Sequence, residues 1–350
     1  SSGTGIMLSA TAATAISAAS ASFSGGFGSI NLNNIAFTLT GTGANVWTDS
    51  GFTGTWTAPT SGSLTFSGTA PEISSSNALY DIAIADGTTL MLTTALNCHN
   101  LAIGTTAATA QVAANGDNQI TVGGNVTGTG TLNASALTSA TVDINGNIGV
   151  AAYSAAAVTE VAGNWTVPAA GFTHNNRSVV FNGTGNLNSA GTSFYDIEFS
   201  DATMALAGFT AENDLTINSS GTLAASGAIN ITVGGNWSKA ATGTFSAGSS
   251  TVSFDPGTSG AYGQKHTITG DTTFNNLSLD ASGAGVVRAV SLYLADGSNQ
   301  TISGALTLRG KKGQLLAVSR PTAGTGSWEI TRNGSATVEF SSISYGYASG

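Results

Sequence analysis

Five carboxylates crowd the middle of the chain: Asp196, Glu198, Asp201, Glu212 and Asp214. Asp196 and Glu198 stand two residues apart, which on a β-strand places them on one face. Two carboxyl groups about 5 to 9 Å apart, flanked by sugar-binding aromatics, are the machinery of glycoside hydrolysis. Lyase chemistry would want a Lys or Arg beside the acids, and the closest is Arg177. A second set of acids, Asp81, Asp86, Asp196, Asp201, Asp255, Asp280 and Asp296, recurs near glycine-containing turns. Oxygen ligands could converge there, so calcium is a candidate ligand. Neither an EF-hand loop nor a nonapeptide calcium repeat is present, and no ligand set or other cofactor is assigned.

The remaining chemistry-bearing residues are sparse. Cys98 is the single cysteine, so no internal disulfide can form. It reads as a small buried apolar residue. His99 is adjacent, but neighbours on a strand point to opposite faces and do not make a dyad. His99, His174 and His266 are far apart, lack metal-ligand spacing, and are expected at the surface or in turns. Gly123-Gly124-Asn125 and Gly234-Gly235-Asn236 are not phosphate loops, since no Lys-Ser/Thr follows. Of Trp47, Trp56, Trp165, Trp237 and Trp328, the pair Trp165 and Trp237 both follow Gly-Asn. A shared repeat position favours core filling over sugar stacking. Asn125, Asn182 and Asn276 head glycosylation sequons, in a chain rich enough in Asn, Ser and Thr to produce them by chance.

Repetition decides between catalysis and structure at the acidic cluster. Phe194-Tyr195-Asp196-Ile197-Glu198-Phe199-Ser200-Asp201 echoes Leu79-Tyr80-Asp81-Ile82-Ala83-Ile84-Ala85-Asp86. Phe274 to Leu279, His99 to Ile103 and Asn33 to Phe37 follow the same rule. The position of Asp196 is held by Asn34, Asn100 and Asn276, and an acid catalyst does not alternate with amides. A corner ladder of Asn and Asp side chains is the expectation, and no catalytic, cofactor-binding or metal-binding residue is assigned. Glu198, which the related phrases replace with Ala or Ser, is left without a role.

Such corners need strands between them. Candidate strands begin at 196, 214, 236, 252 and 276, an average step of about 20, the signature of a solenoid, propeller or array. Ile120 to Thr127 and Ile231 to Ser238 share a second phrase, with Val161 to Thr166 and Ile144 to Ile148 as shorter copies. Helical stripes are absent and short alternating runs are everywhere, so the chain is all-β. The pattern predicts a right-handed parallel β-helix of about 20 residues per coil, hence about 17 coils. Tandem β-sandwich domains are the alternative. Residues 1–77 read as a less regular N-terminal β region and 78–350 as the solenoid, continuous with the first.

Composition agrees. Only 8% of residues are charged, against about 25% in ordinary domains, while 41% are hydrophobic. Like charges stacked at about 4.8 Å would repel, which disfavours them on a solenoid face. Nine basic residues against 18 acidic ones argue against a phosphate-tracking groove, so nucleic acid is not a partner. The Ala/Ser-rich opening is no membrane span. Flat Thr-rich faces raise ice binding, but the strict Thr-x-Thr ladder is absent. Ser-Ser-Gly and Ala-Ser-Gly at the two ends read as cuts in a longer or processed chain.

The string from Asn299 to Leu308, and that from Ser327 to Ser344, resemble the repeats of very large secreted surface proteins of bacteria and archaea. They are similar to the β-helices of filamentous-haemagglutinin-like and autotransporter-type adhesins, over Ala78 to Tyr345. The resemblance implies an extracellular, cell-surface location. It implies a non-catalytic structural component of a filament, sheath or surface layer, self-associating through solenoid ends or faces. The alternatives are an adhesin holding surface glycans and, further off, a polysaccharide lyase or glycoside hydrolase.

Overall fold

The computed structural model describes residues 6–26, 28–257, 264–283, 285–286, 289–321, 326–344 and 346–349. Tyr345, where the adhesin-like stretch was drawn to end, lies outside them. The described residues form strands of two to ten residues and a single 3-10 turn, Ala169–Gly171. Strand partners run parallel, one coil apart, and build a β-solenoid consistent with a right-handed parallel β-helix. Antiparallel sandwiches are thereby excluded. There are about 14 turns of about 22 residues, fewer and longer than the expected 17 of 20. The excess lies in the connections: corner-to-corner steps run from 17 residues (Asn147 to Asn164) to 31 (Asn236 to Thr267).

Two compact units divide the chain, Ser1–Arg177 and Ser178–Gly350. In the first, one wall carries Thr14–Ala18, Ile35–Leu39, Ser63–Phe66, Asp81–Ile84, Leu101–Ile103, Val126–Thr127 and Ile148–Gly149. Alternation sends every second residue inward, so one column reads Phe37, Leu64, Ile82, Leu101, Val126, Ile148 in direct register. Every member of that column is buried. Two register shifts, on the strand Gly43–Phe52 and its partner Ala21–Gly25, mark the least regular part of this unit.

The second unit repeats the device. Val179, Ile197, Leu215, Trp237, Ile268 and Leu294 form an inward column, all buried. Burying each such side chain contributes about 1.5–3 kcal/mol. Aromatic clusters fill part of the core in each unit. Trp165 meets Phe172 at 4.8 Å in the first unit, and Trp237 meets Phe245 at 4.8 Å and Phe274 at 5.1 Å in the second. Trp165 and Trp237 are therefore core residues, as their shared position predicted.

One expectation is corrected by the topology. Asp196 and Asn276 do not belong to one ladder. The strand Asp196–Phe199 pairs with Ser178–Phe181 and Leu215–Ile217, whereas Asn276–Asp280 pairs with Thr251–Phe254 and Leu306–Arg309 on another wall. The phrase marks entry from a corner into a strand, and more than one corner of a coil uses it.

Candidate functional site

The repeated corners are where the polar side chains gather. In the first unit, Asn125 N–H donates to Asn100 Oδ1 (2.8 Å), Asn147 N–H to Asn125 Oδ1 (2.9 Å), and Asn164 N–H to Asn147 Oδ1 (2.7 Å). Each corner carbonyl in turn accepts from the preceding strand, as Asn125 O does from Leu101 N–H (2.9 Å). The ladder starts at Asp81, whose Oδ1 accepts from Asn100 Nδ2 and lies 2.9 Å from His99 Nδ1. Asn34 departs from the pattern: it is Asn33 whose Oδ1 takes the next coil's Thr60 and Ser61 N–H groups.

The second unit builds its ladder from acids. Asp214 N–H donates to Asp196 Oδ1 (3.1 Å), Asn236 N–H to Asp214 Oδ1 (2.8 Å), and Thr267 N–H to Asn236 Oδ1 (3.0 Å). Asn213 Nδ2 adds a bond to Asp196 Oδ1 at 2.7 Å. Backbone groups turning a corner would otherwise lack partners, and these side chains supply them. The glycine before the rung is part of the device. A Cβ at Gly124 would sit 2.4 Å from Asn100 Oδ1, and one at Gly235 would sit 2.5 Å from Asp214 Oδ1. Gly-Asn is therefore a packing unit, with no phosphate involved.

Three acids of the cluster hold separate partners. Asp196 is a ladder rung. Glu198 Oε1 accepts from Ser200 Oγ (2.8 Å) and from Asn218 Nδ2 of the next coil, which gives it the role its relatives did not reveal. Asp201 Oδ1 accepts from the Ala202 N–H, and Arg177 binds the carbonyls of Ser135, Leu137 and Ala155 in the first unit.

Other carboxylates clasp the following coil. Asp86 binds the N–H and hydroxyl groups of Thr105 and Thr106. Those bonds, led by the Thr106 hydroxyl, hold its pKa down at about 2. Asp117 does the same with Ser139 and Ala140, again with a pKa of about 2, led by the Ser139 hydroxyl. Asp49 is fully buried and accepts from Trp47 Nε1 (2.9 Å), Ser75 Oγ (2.7 Å), Ser76 N–H (2.7 Å) and Asn77 Nδ2 (3.1 Å). Sequence reasoning passed over Asp49 and Asp117. An Asp followed 19 to 27 residues later by adjacent Ser or Thr residues, as for Asp86 and Asp49, is the signal that finds such clasps.

Among the candidate calcium ligands, Asp255 Oδ1 caps Gly257 N–H, and Asp280 pairs with Arg309, which also pairs with Glu339. That row alternates in sign along one wall. Asp143 and Glu160 stand in register on neighbouring coils, an exception to the expected avoidance of like charges. Among the described residues, no three His, Cys, Asp or Glu side chains form a metal-holding group.

Cys98 is buried, and burial, with Asp81 nearby, pushes its thiol up to about 12. His99 lies on the outside, stacked on Tyr80 at 4.5 Å. His174 Nδ1 accepts a turn N–H from Asn176. His266 contradicts its expected surface position: it is fully buried, because it falls on an inward position of Lys265–Thr269 beside Phe254. Trp47, Trp165, Trp237 and Trp328 are buried and present no sugar platform. The sequon residues Asn125 and Asn276 have their carboxamides engaged between coils.

Outside, one wall of the second unit carries an unbroken row of hydroxyls in register: Ser193, Thr210, Thr232, Ser253, Ser278, Thr307 and Thr337. It is a single row, not a Thr-x-Thr pair of rows. No helix among the described residues is long and apolar enough to cross a membrane. Comparison with protein-family models, with curated proteins and with solved structures returned no match.

Proposed function

We propose that the chain is a non-catalytic structural component of an extracellular cell-surface assembly, a filament, sheath or surface-layer subunit. The observation that carries this reading is the engagement of its corner carboxylates and amides with the next coil's backbone. Side chains that could do acid–base chemistry, Asp196 and Asp214 among them, hold coils together instead. The outward row of hydroxyls and the scarcity of charge suit packing against other uncharged surfaces. The likeness of 299–308 and 327–344 to adhesin repeats supports the same setting.

Electron microscopy of the purified chain at rising concentration tests it. Filaments or sheets are the expected result. A stable monomer that binds a glycan array would replace this reading with an adhesin. Cleavage of an acidic polysaccharide, abolished by Asp196→Ala, would replace it with an enzyme.

A further inference from the structure

His266 is a buried ionisable ring that the corner ladders do not explain. Its strand, Lys265–Thr269, closes the 31-residue step from the corner at Asn236. Nδ1 lies 2.9 Å from the Gly235 carbonyl oxygen; a carbonyl only accepts, so Nδ1 carries the hydrogen. Nε2 is buried and has no hydrogen-bond partner among the described residues. The Phe254 ring packs 5.2 Å away, and Leu292 stands in register on the next strand.

We propose that His266 is an acid-operated latch, which closes this coil while neutral and releases the strand Lys265–Thr269 when it takes a second proton. The second proton must go to Nε2, where a cation would sit buried against Phe254. Opening the strand to water relieves that cost. The charged groups around it are few. Asp255, after Phe254, favours the protonated ring through both its charge and its backbone; the Gly235 corner offers only its carbonyl, and Ser291–Leu294 offers the apolar Leu292. Lys265, on the same strand, is exposed. Burial outweighs Gly235 and Asp255 and holds the ring below its ordinary value.

The direction follows from linkage. With the closed-state value depressed, the stabilisation is complete above about pH 6.5, the ordinary imidazole value, and is lost as pH falls below it. One proton limits the effect to about a tenfold rise in opening per pH unit. Opening also removes the Thr267 N–H from Asn236 Oδ1 and uncovers the edges of Trp237–Lys239 and Ser291–Leu294, which can then accept another strand. The latch stands whether or not the chain assembles.

Hydrogen exchange of the full chain at pH 7.5 and pH 5.0, corrected for intrinsic rates, reads it. Amides of 265–269 are expected to open more at pH 5.0, by up to about thirtyfold, with 142–144 unchanged. His266→Gln, which donates but does not titrate here, is expected to abolish the difference. Equal protection at both pH values, or an acid response that survives His266→Gln, overturns the proposal. The unmodified protein supplies an independent readout by imidazole NMR. His266 is expected to titrate below the ordinary imidazole value of about 6.5, and titration at or above that value overturns the proposal even if the variant fails to fold.

Discussion

The two units build the same kind of corner ladder, leading into different walls, with different chemistry. The first uses a run of amides, Asn100, Asn125 and Asn147, behind a single acid, Asp81. The second puts acids at two consecutive rungs, Asp196 and Asp214, before reaching Asn236. In both, one Oδ1 accepts the backbone N–H of the next rung, at 2.7–3.1 Å. The ladder therefore requires an acceptor oxygen of a certain reach and is indifferent to its charge. Neighbours differ accordingly. Where the first unit sets His99 beside Asp81, the second sets Asn213 beside Asp196, again delivering a hydrogen to the acid.

The largest effect that tests the equivalence is at the glycines. Gly124→Ala and Gly235→Ala each force a methyl against a ladder oxygen and are expected to cost about 2–3 kcal/mol in urea denaturation, alike in the two units. Removing a rung distinguishes them. Asp214→Ala strips a charged acceptor from Asn236 N–H and Nδ2, an expected loss of about 2 kcal/mol, against about 1 kcal/mol for Asn125→Ala, whose acceptor is neutral. Exchanging the chemistries, Asp214→Asn with Asn125→Asp, is expected to change stability by less than about 1 kcal/mol, since each exchange keeps the oxygen. A larger loss would show that charge matters at these corners after all.

Acid sharpens the contrast further. Asp86 and Asp117 belong to the first unit and have folded pKa values of about 2, below the ordinary value of about 3.9. Their contribution is present above pH 4 and is lost as pH falls toward 2. Asp86→Asn with Asp117→Asn should flatten acid unfolding of the first unit in that window. The second unit should already respond below about pH 6.5, through His266.

The alternation of inward apolar residues and the Gly-Asn corner were legible in the sequence because each is written within four or five residues, and the parallel coil because those phrases recur about every 20. Which wall a phrase belongs to was not. Asp196 and Asn276 look alike locally and lie on different walls, since connections of unequal length advance the chain by different amounts around the coil. Asp49 and Asp117 were missed for the same reason: their partners on the next coil lie 22 to 28 residues away. His266 was misplaced because a lone histidine carries no sign of its face until the register of its strand is known.

The burial of Cys98 has a practical side. The chain contains one thiol, enclosed in the core of the first unit and held protonated up to about pH 12. A thiol reagent therefore meets nothing to react with until that coil opens. Its labelling rate is an internal clock for opening of the first unit, readable on the unmodified protein without an engineered probe, and silent to events confined to the second.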